Sequence, residues 1–328
     1  IDGLQKLITG AAEQAELDAE DVVEIVLVGN PVMHHLLLGI DPVELGGAPF
    51  ALAVDTAVEI RASELGLGVN KGARVYVLPC IAGHVGADAA GVVLAEAPQK
   101  AEINTLVVDV GTNAEIVVGN SKRMLAASSP TGPAFEGAQI SSGQRAAPGA
   151  IERIRIDKDT LEPCFRVIGV EQWSNEDGFD EAVKSTGITG ICGSGIIEVL
   201  AEMYLSGILS TDGVIDGTVA ARTPRIEEDG RTFAYRVAEN VVVTQNDVRA
   251  IQLAKAALHA SFRLLMDKME LKKVDHLLIP NIEAKLREED GRPEDGGTTR
   301  AGGRNKVSGC RIGAGVVSKE PERRAYQP

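Results

Sequence analysis

The sequence predicts an α/β fold, and three stretches carry that prediction. Two are apolar, β-branched runs that give way to helical spacing: Val22–Gly29 (VVEIVLVG) before Val32–Ile40, and Ala73–Gly83 (ARVYVLPCIAG) before His84–Ala97. The third, Thr105–Asn120 (TLVVDVGTNAEIVVGN), has two such runs around a Gly-Thr-Asn turn and reads as a strand–turn–strand hairpin.

Taken in order, Gly3–Leu17 has the apolar spacing of a helix. Val22–Gly29 reads as a buried parallel strand that breaks at Gly29-Asn30-Pro31, and the short helix after it stops at Gly39 and Asp41-Pro42. Ala73–Gly83 repeats the pattern, with a turn at Pro79 and a small-residue helix behind it. Past the hairpin, Ser128–Ala150 is rich in Gly, Ser and Pro and aperiodic, as functional loops are. Ala150–Ile156 and Phe165–Val170 look like strands of a small antiparallel sheet. A second Gly-rich loop, Thr186–Gly195, runs into an amphipathic helix. Ser210–Thr244 reads as loop and hairpin, and Gln245–Met269 as the longest helix, with Asn246 or Asp247 as N-cap. Val274–Ile279 closes the series as a buried strand. Beyond Pro280 the chain turns charged, Gly-rich and aperiodic, which predicts a disordered tail over 281–328. The domain expectation is therefore 1–104, 105–280 and the tail.

Composition narrows the function classes. The chain has 328 residues, 44% of them apolar, enough for a sizeable core. Aromatics are 3% and the formal net charge is -14, so neither stacking platforms nor phosphate-neutralising charge favours nucleic acid. No apolar run has the length of a membrane span, and a cytoplasmic location is expected. The four cysteines, Cys80, Cys164, Cys192 and Cys310, form no C-x-x-C pair, which argues against a zinc or iron–sulfur centre within this chain. The start lacks an initiator Met and opens in a helical pattern, so a fragment of a longer protein is expected.

The hairpin turn carries the clearest chemistry. A phosphate needs backbone N–H donors and no bulky side chain in its path; Gly111, Thr112 and Asn113 meet both needs, and the Thr hydroxyl adds a donor. Asp109, at the strand end, can hold a water of Mg²⁺, and Glu115 can position a water or the metal, so both are candidate catalytic residues. An ordinary tight hairpin is the plainer alternative. Gly193, Ser194 and Gly195 precede a helix, whose N-terminus favours anions; a close-packing turn explains them equally well. Gly132 to Gly137 could admit a nucleotide close to the backbone, with Glu136 as the loop's one acid; alone, Glu136 reads as a solvated charge. His34 and His35 sit side by side in an apolar helix and read as core residues, not as shared metal ligands.

Three segments together carry a resemblance: Val28–Pro42 (VGNPVMHHLLLGIDP), Leu106–Asn120 (LVVDVGTNAEIVVGN) and Thr189–Met203 (TGICGSGIIEVLAEM), extended by Thr131–Ile151 and Leu78–Gly91. The chain resembles the C-terminal actin-like ATPase (ASKHA, ribonuclease H-like) region of the reductive activators of corrinoid proteins, over about Ile1–Asp275. The resemblance implies ATP and Mg²⁺ as cofactors, a [2Fe–2S] domain outside this chain, and a corrinoid protein, reduced from Co(II) to Co(I), as partner. It implies that Asp109, Gly111, Thr112, Asn113 and Glu115 hold phosphate and metal, and that Gly132, Glu136, Gly137, Gly193, Ser194 and Gly195 line the cleft. The fold is expected to be incomplete: the superfamily's first phosphate hairpin and its adenosine turn do not appear in recognisable form, and the tail suggests a frame-shifted reading. Weak nucleotide binding follows as an expectation. Two alternatives stand beside this reading, a docking module for a corrinoid protein and a small-molecule kinase of the acetate or sugar kinase type. The helix Gln245–Met269 is compatible with a homodimer.

Overall fold

The computed structural model describes residues 1–279. The tail 281–328, with Cys310, lies outside the described residues, as do the expectations placed on it. The described residues form two units, Ile1–Glu102 with Gly119–Met124, and Ile103–Val118 with the chain from Leu125 to Ile279.

The first unit begins with helix α1 (Asp2–Gln14), strand β1 (Glu24–Leu27) and helix α2 (Pro31–Leu37). Asn30 caps α2 by accepting from the Met33 N–H at 2.9 Å, and Pro31 supplies the preset φ of the first turn. Strands β2 (Val58–Arg61) and β3 (Arg74–Val77) and helix α3 (Ala87–Glu96) follow. The sheet order is β1-β3-β2, with β1 parallel and β2 antiparallel to β3. One face packs on α1: Ile25, Leu27, Val75 and Val77 join Ile8 and Ala12 in one core. The other face carries Glu24, Arg74 and Tyr76, all exposed. The strand expected over Val22–Gly29 is parallel as expected, but its burial alternates: Val26 and Val28 on the second face are half-buried, packed beside Leu78, Cys80 and the α3 residue Ala87, while Glu24 is exposed.

The second unit opens with β4 (Thr105–Asp109), β5 (Ala114–Gly119) and β6 (Met124–Ser129). Strands β7 (Ala150–Ile156) and β8 (Pro163–Val167), the short helix α4 (Phe179–Ala182), strand β9 (Gly190–Ile191) and helix α5 (Gly193–Leu205) come next. Strands β10 (Ile226–Asp229), β11 (Thr232–Ala238) and β12 (Val241–Thr244) lead into helix α6 (Gln245–Lys268), and β13 (His276–Leu278) closes the described chain.

Three sheets result, with orders β13-β4-β5-β6, β8-β7-β9 and β10-β11-β12. Leu106, Val108, Ile116 and Val118 pack on Leu265 and Met266 of α6. The strand β13 is an edge, with His276 and Leu277 exposed, which corrects its expected burial. The N-cap of α6 is Thr244, not Asn246 or Asp247; its hydroxyl accepts from the Asp247 N–H at 3.2 Å, and Asp247 returns the bond to the Thr244 N–H at 2.8 Å. The helix α5 lies close on β7: a Cβ on Gly195 would stand 2.5 Å from the Ile151 carbonyl oxygen. Along that contact Glu198 accepts from the Ile154 N–H at 2.7 Å and pairs with Arg153, and Glu202 accepts from the Ile156 N–H at 3.0 Å.

Candidate functional site

Side chains alternate across a strand, so the faces of β4 and β5 turned away from α6 carry Asp109 and Glu115. Both carboxylates are half-buried, and Glu115 accepts from the Ser128 hydroxyl on the next strand at 3.4 Å. The turn between the strands is braced from behind. The Thr131 hydroxyl, itself buried, donates to the carbonyls of Gly111 at 2.9 Å and Thr112 at 3.1 Å. Those acceptors are thereby fixed toward Thr131, while the Thr112 and Asn113 side chains are exposed.

The Gly132–Gly137 loop forms one turn of 3₁₀ helix, Pro133–Glu136, between two glycines of positive φ, 72° and 85°. The Thr112 hydroxyl donates to the Glu136 carboxylate, so Glu136, half-buried, is tied to the hairpin turn at an exposed contact. The start of α5 meets the same turn. A Cβ on Gly193 would fall 2.0 Å from the Phe135 carbonyl oxygen, a distance only glycine allows. Beside it, the Ser194 hydroxyl lies 3.3 Å from the Cys192 sulfur.

The rest of the aperiodic loop is tied down at both ends. The Gln144 N–H donates to the Ile191 carbonyl at 2.9 Å and the Ile191 N–H to that of Ser142 at 2.8 Å. The Ser142 hydroxyl bonds both the N–H and the carbonyl of Val242, and Asp247 accepts from the N–H and the hydroxyl of Ser141. This loop is therefore a built surface, positioned by β9, β12 and α6.

The structure thus joins Thr112, Glu136 and Gly193 at one place. Asp109 and Glu115 share a sheet face next to the turn, while Gly132 and Gly137 shape the 3₁₀ turn. Thr131, which braces the turn, had no signal in the spacing of the sequence. The arrangement suits a phosphate: a glycine turn with an exposed hydroxyl faces a helix N-terminus across a small acidic loop. Among the described residues no three His, Cys, Asp or Glu side chains group as a metal centre. A hydrated Mg²⁺ needs only one or two carboxylates besides phosphate oxygens, and Asp109 with Glu115 supplies that number.

Comparisons with known proteins bear on residues 1–280. Residues 103–280 match the family described as the C-terminal domain of RACo, the ASKHA domain, and residues 1–100 match the RACo middle region. A corrinoid activation enzyme, RamQ of Eubacterium limosum, is 32% identical over 83% of this chain and 45% of its own length. A [Co(II) methylated amine-specific corrinoid protein] reductase of Methanosarcina barkeri is 25% identical over 80% of this chain and 52% of its own. Among solved structures, a reductive activator for corrinoid, iron-sulfur protein superposes with a TM-score of 0.68 at 30% identity, covering 84% of this chain and 43% of that one. The chain spans about half the length of the curated relatives it matches.

Proposed function

The chain belongs to the family of reductive activators of corrinoid proteins, and from that premise we propose that it couples nucleotide binding to the reduction of a Co(II) corrinoid protein to Co(I). The observation that carries this reading is the convergence of the Gly111–Asn113 turn, Glu136 and the α5 start within the ASKHA domain. In this reading the turn and the Thr112 hydroxyl would hold a phosphate of ATP, and Asp109 and Glu115 would hold waters of Mg²⁺. Gly193 and Ser194 would line the opposite wall, Gly195 lets α5 pack closely on β7, and Gly132 and Gly137 set the loop that carries Glu136. ATP, when bound, would supply the free energy of its hydrolysis, and an iron–sulfur group, as the resemblance implies, would supply the electron.

The physical need for nucleotide is thermodynamic. Reduction of Co(II) to Co(I) is uphill, and a ligand shifts such an equilibrium only through different affinity for the two states. Thr112 and Glu136 belong to segments far apart in sequence, so a phosphate that takes the Thr112 donor away from Glu136 alters a contact between the hairpin and the loop. Family membership leaves the kinase reading without support. No helix of the described residues is long and apolar enough to cross a membrane, and we place the reaction in the cytoplasm.

The test is ATP hydrolysis by the purified chain with and without a Co(II) corrinoid protein. Stimulation by the partner, reduced at least tenfold in Thr112→Val, supports the proposal. Partner binding that is indifferent to nucleotide and to Thr112→Val would instead mark a docking module.

A further inference from the structure

The first unit holds a second site that the nucleotide reading does not use. A cavity of about 260 Å³ lies against α2, lined by Leu4, Leu27, Val28, Met33, Leu37 and Val77 together with His34. Ile1, the first residue of the sequence, also lines it; the lining side chains carry no charge, and His34 is the one polar side chain among them. His34 is 3% exposed, and neither of its ring nitrogens has a hydrogen-bond partner.

Its neighbour shows that this is particular to His34. His35 is equally buried, yet its Nδ1 donates to the Pro31 carbonyl at 2.9 Å and its Nε2 accepts from the Ala53 N–H at 3.0 Å. Those two bonds fix one neutral tautomer and explain His35 as a structural residue. The same explanation fails for His34. A buried polar group without a partner destabilises the fold, and a leucine of similar volume would carry no such penalty. Burial, and then the neighbouring His35, hold the His34 pKa below its ordinary value, so the ring is neutral at pH 7 with one donor and one acceptor. A half-turn about Cβ–Cγ exchanges ring carbons with ring nitrogens without changing the outline of the ring. The edge that lines the cavity can therefore present a nitrogen.

We propose that this cavity binds a small neutral molecule, apolar over most of its surface and carrying one hydroxyl-type group that pairs with His34. Size supports a single substituted ring: apolar cavities of roughly 150 Å³ already accept benzene. Met33 and Leu36, both exposed, are among the lining residues, and a flexible thioether adapts to a ligand's shape.

The test compares p-cresol with p-xylene, which replaces the hydroxyl by a methyl group of similar size. In the full chain, p-cresol is expected to bind roughly tenfold more tightly, as one hydrogen bond to an otherwise unpaired buried group allows. Binding should also shift the ¹⁵N resonances of the His34 ring, a readout that needs no variant. In His34→Leu the preference should vanish while p-xylene still binds. Equal affinities in the wild type, absence of saturable binding at millimolar probe, or a preference that survives in His34→Leu overturns the proposal. Probe binding that disappears as the chain self-associates overturns it as well, because a second copy would then be the occupant.

Discussion

The Thr112 hydroxyl donates to the Glu136 carboxylate, joining the turn after β4 to a 3₁₀ turn 24 residues further along. The donor best placed for a phosphate is thus engaged by an anion of the protein itself. A free phosphate must compete with that carboxylate, whereas one that arrives with Mg²⁺ brings a cation between the two.

Nucleotide binding should therefore be strongly Mg²⁺-dependent, and Glu136→Gln should weaken the dependence. Removing about 1 kcal/mol of like-charge repulsion at a partly exposed site raises the metal-free ATP affinity roughly fivefold. Titration calorimetry in EDTA and in Mg²⁺ checks this, and equal Mg²⁺ dependence in both proteins would contradict it.

Gly193→Ala should be more harmful than Gly178→Ala. The new methyl at 193 meets the Phe135 carbonyl oxygen at 2.0 Å, whereas at 178, which is left-handed with φ 88° and ψ -6°, nothing lies within 4 Å. Overpacking against backbone costs about 1–3 kcal/mol, against ~1 kcal/mol for the left-handed residue. Urea unfolding measures both.

Asp247→Ala should lower stability by about 2–3 kcal/mol, because it leaves two backbone N–H groups, those of Thr244 in the capping box and of Ser141, without their acceptor. The loss should appear as a lower urea midpoint at unchanged slope. Thr244→Ala should cost less, since it leaves the bonds from Ser141 to Asp247 in place.

The stability of the first unit should fall on acidification. His34 has a folded pKa below its ordinary 6.5, so the unfolded chain takes up the proton first. The stabilisation is present above pH 6.5 and is lost as pH falls through the lower folded value. His34→Leu should flatten thermal stability between pH 7.5 and pH 5, as seen by circular dichroism at about those two values.

Much of this architecture was legible because local patterning and tertiary structure agree. The β-branched runs around Gly111–Asn113 become β4 and β5, and the long apolar period of Gln245–Met269 becomes α6. The capping box Thr244-Gln245-Asn246-Asp247 was also written in the sequence, but its first residue ends β12 and so reads as strand. Strand β6 went unread because MLAASS is small and weakly apolar, and the pairing partner β5 decides its state. The edge position of β13 follows from sheet order, which no local pattern encodes. The link from Thr112 to Glu136 depends on the path of the loop, set by close approaches such as Gly143 against Gly137. Composition marked that loop as functional and could not say which of its residues would touch the hairpin.

A single nucleotide site built from the hairpin turn, the 3₁₀ turn and the α5 start is tested by a MgATP titration of the ¹⁵N-labelled chain followed by amide chemical shifts. Gly111, Thr112, Glu136 and Gly193 should shift together with a single apparent Kd, whatever its value, and Thr112→Val should weaken all four together. Saturating nucleotide that leaves these four amides unmoved, or moves them with different affinities, would contradict it.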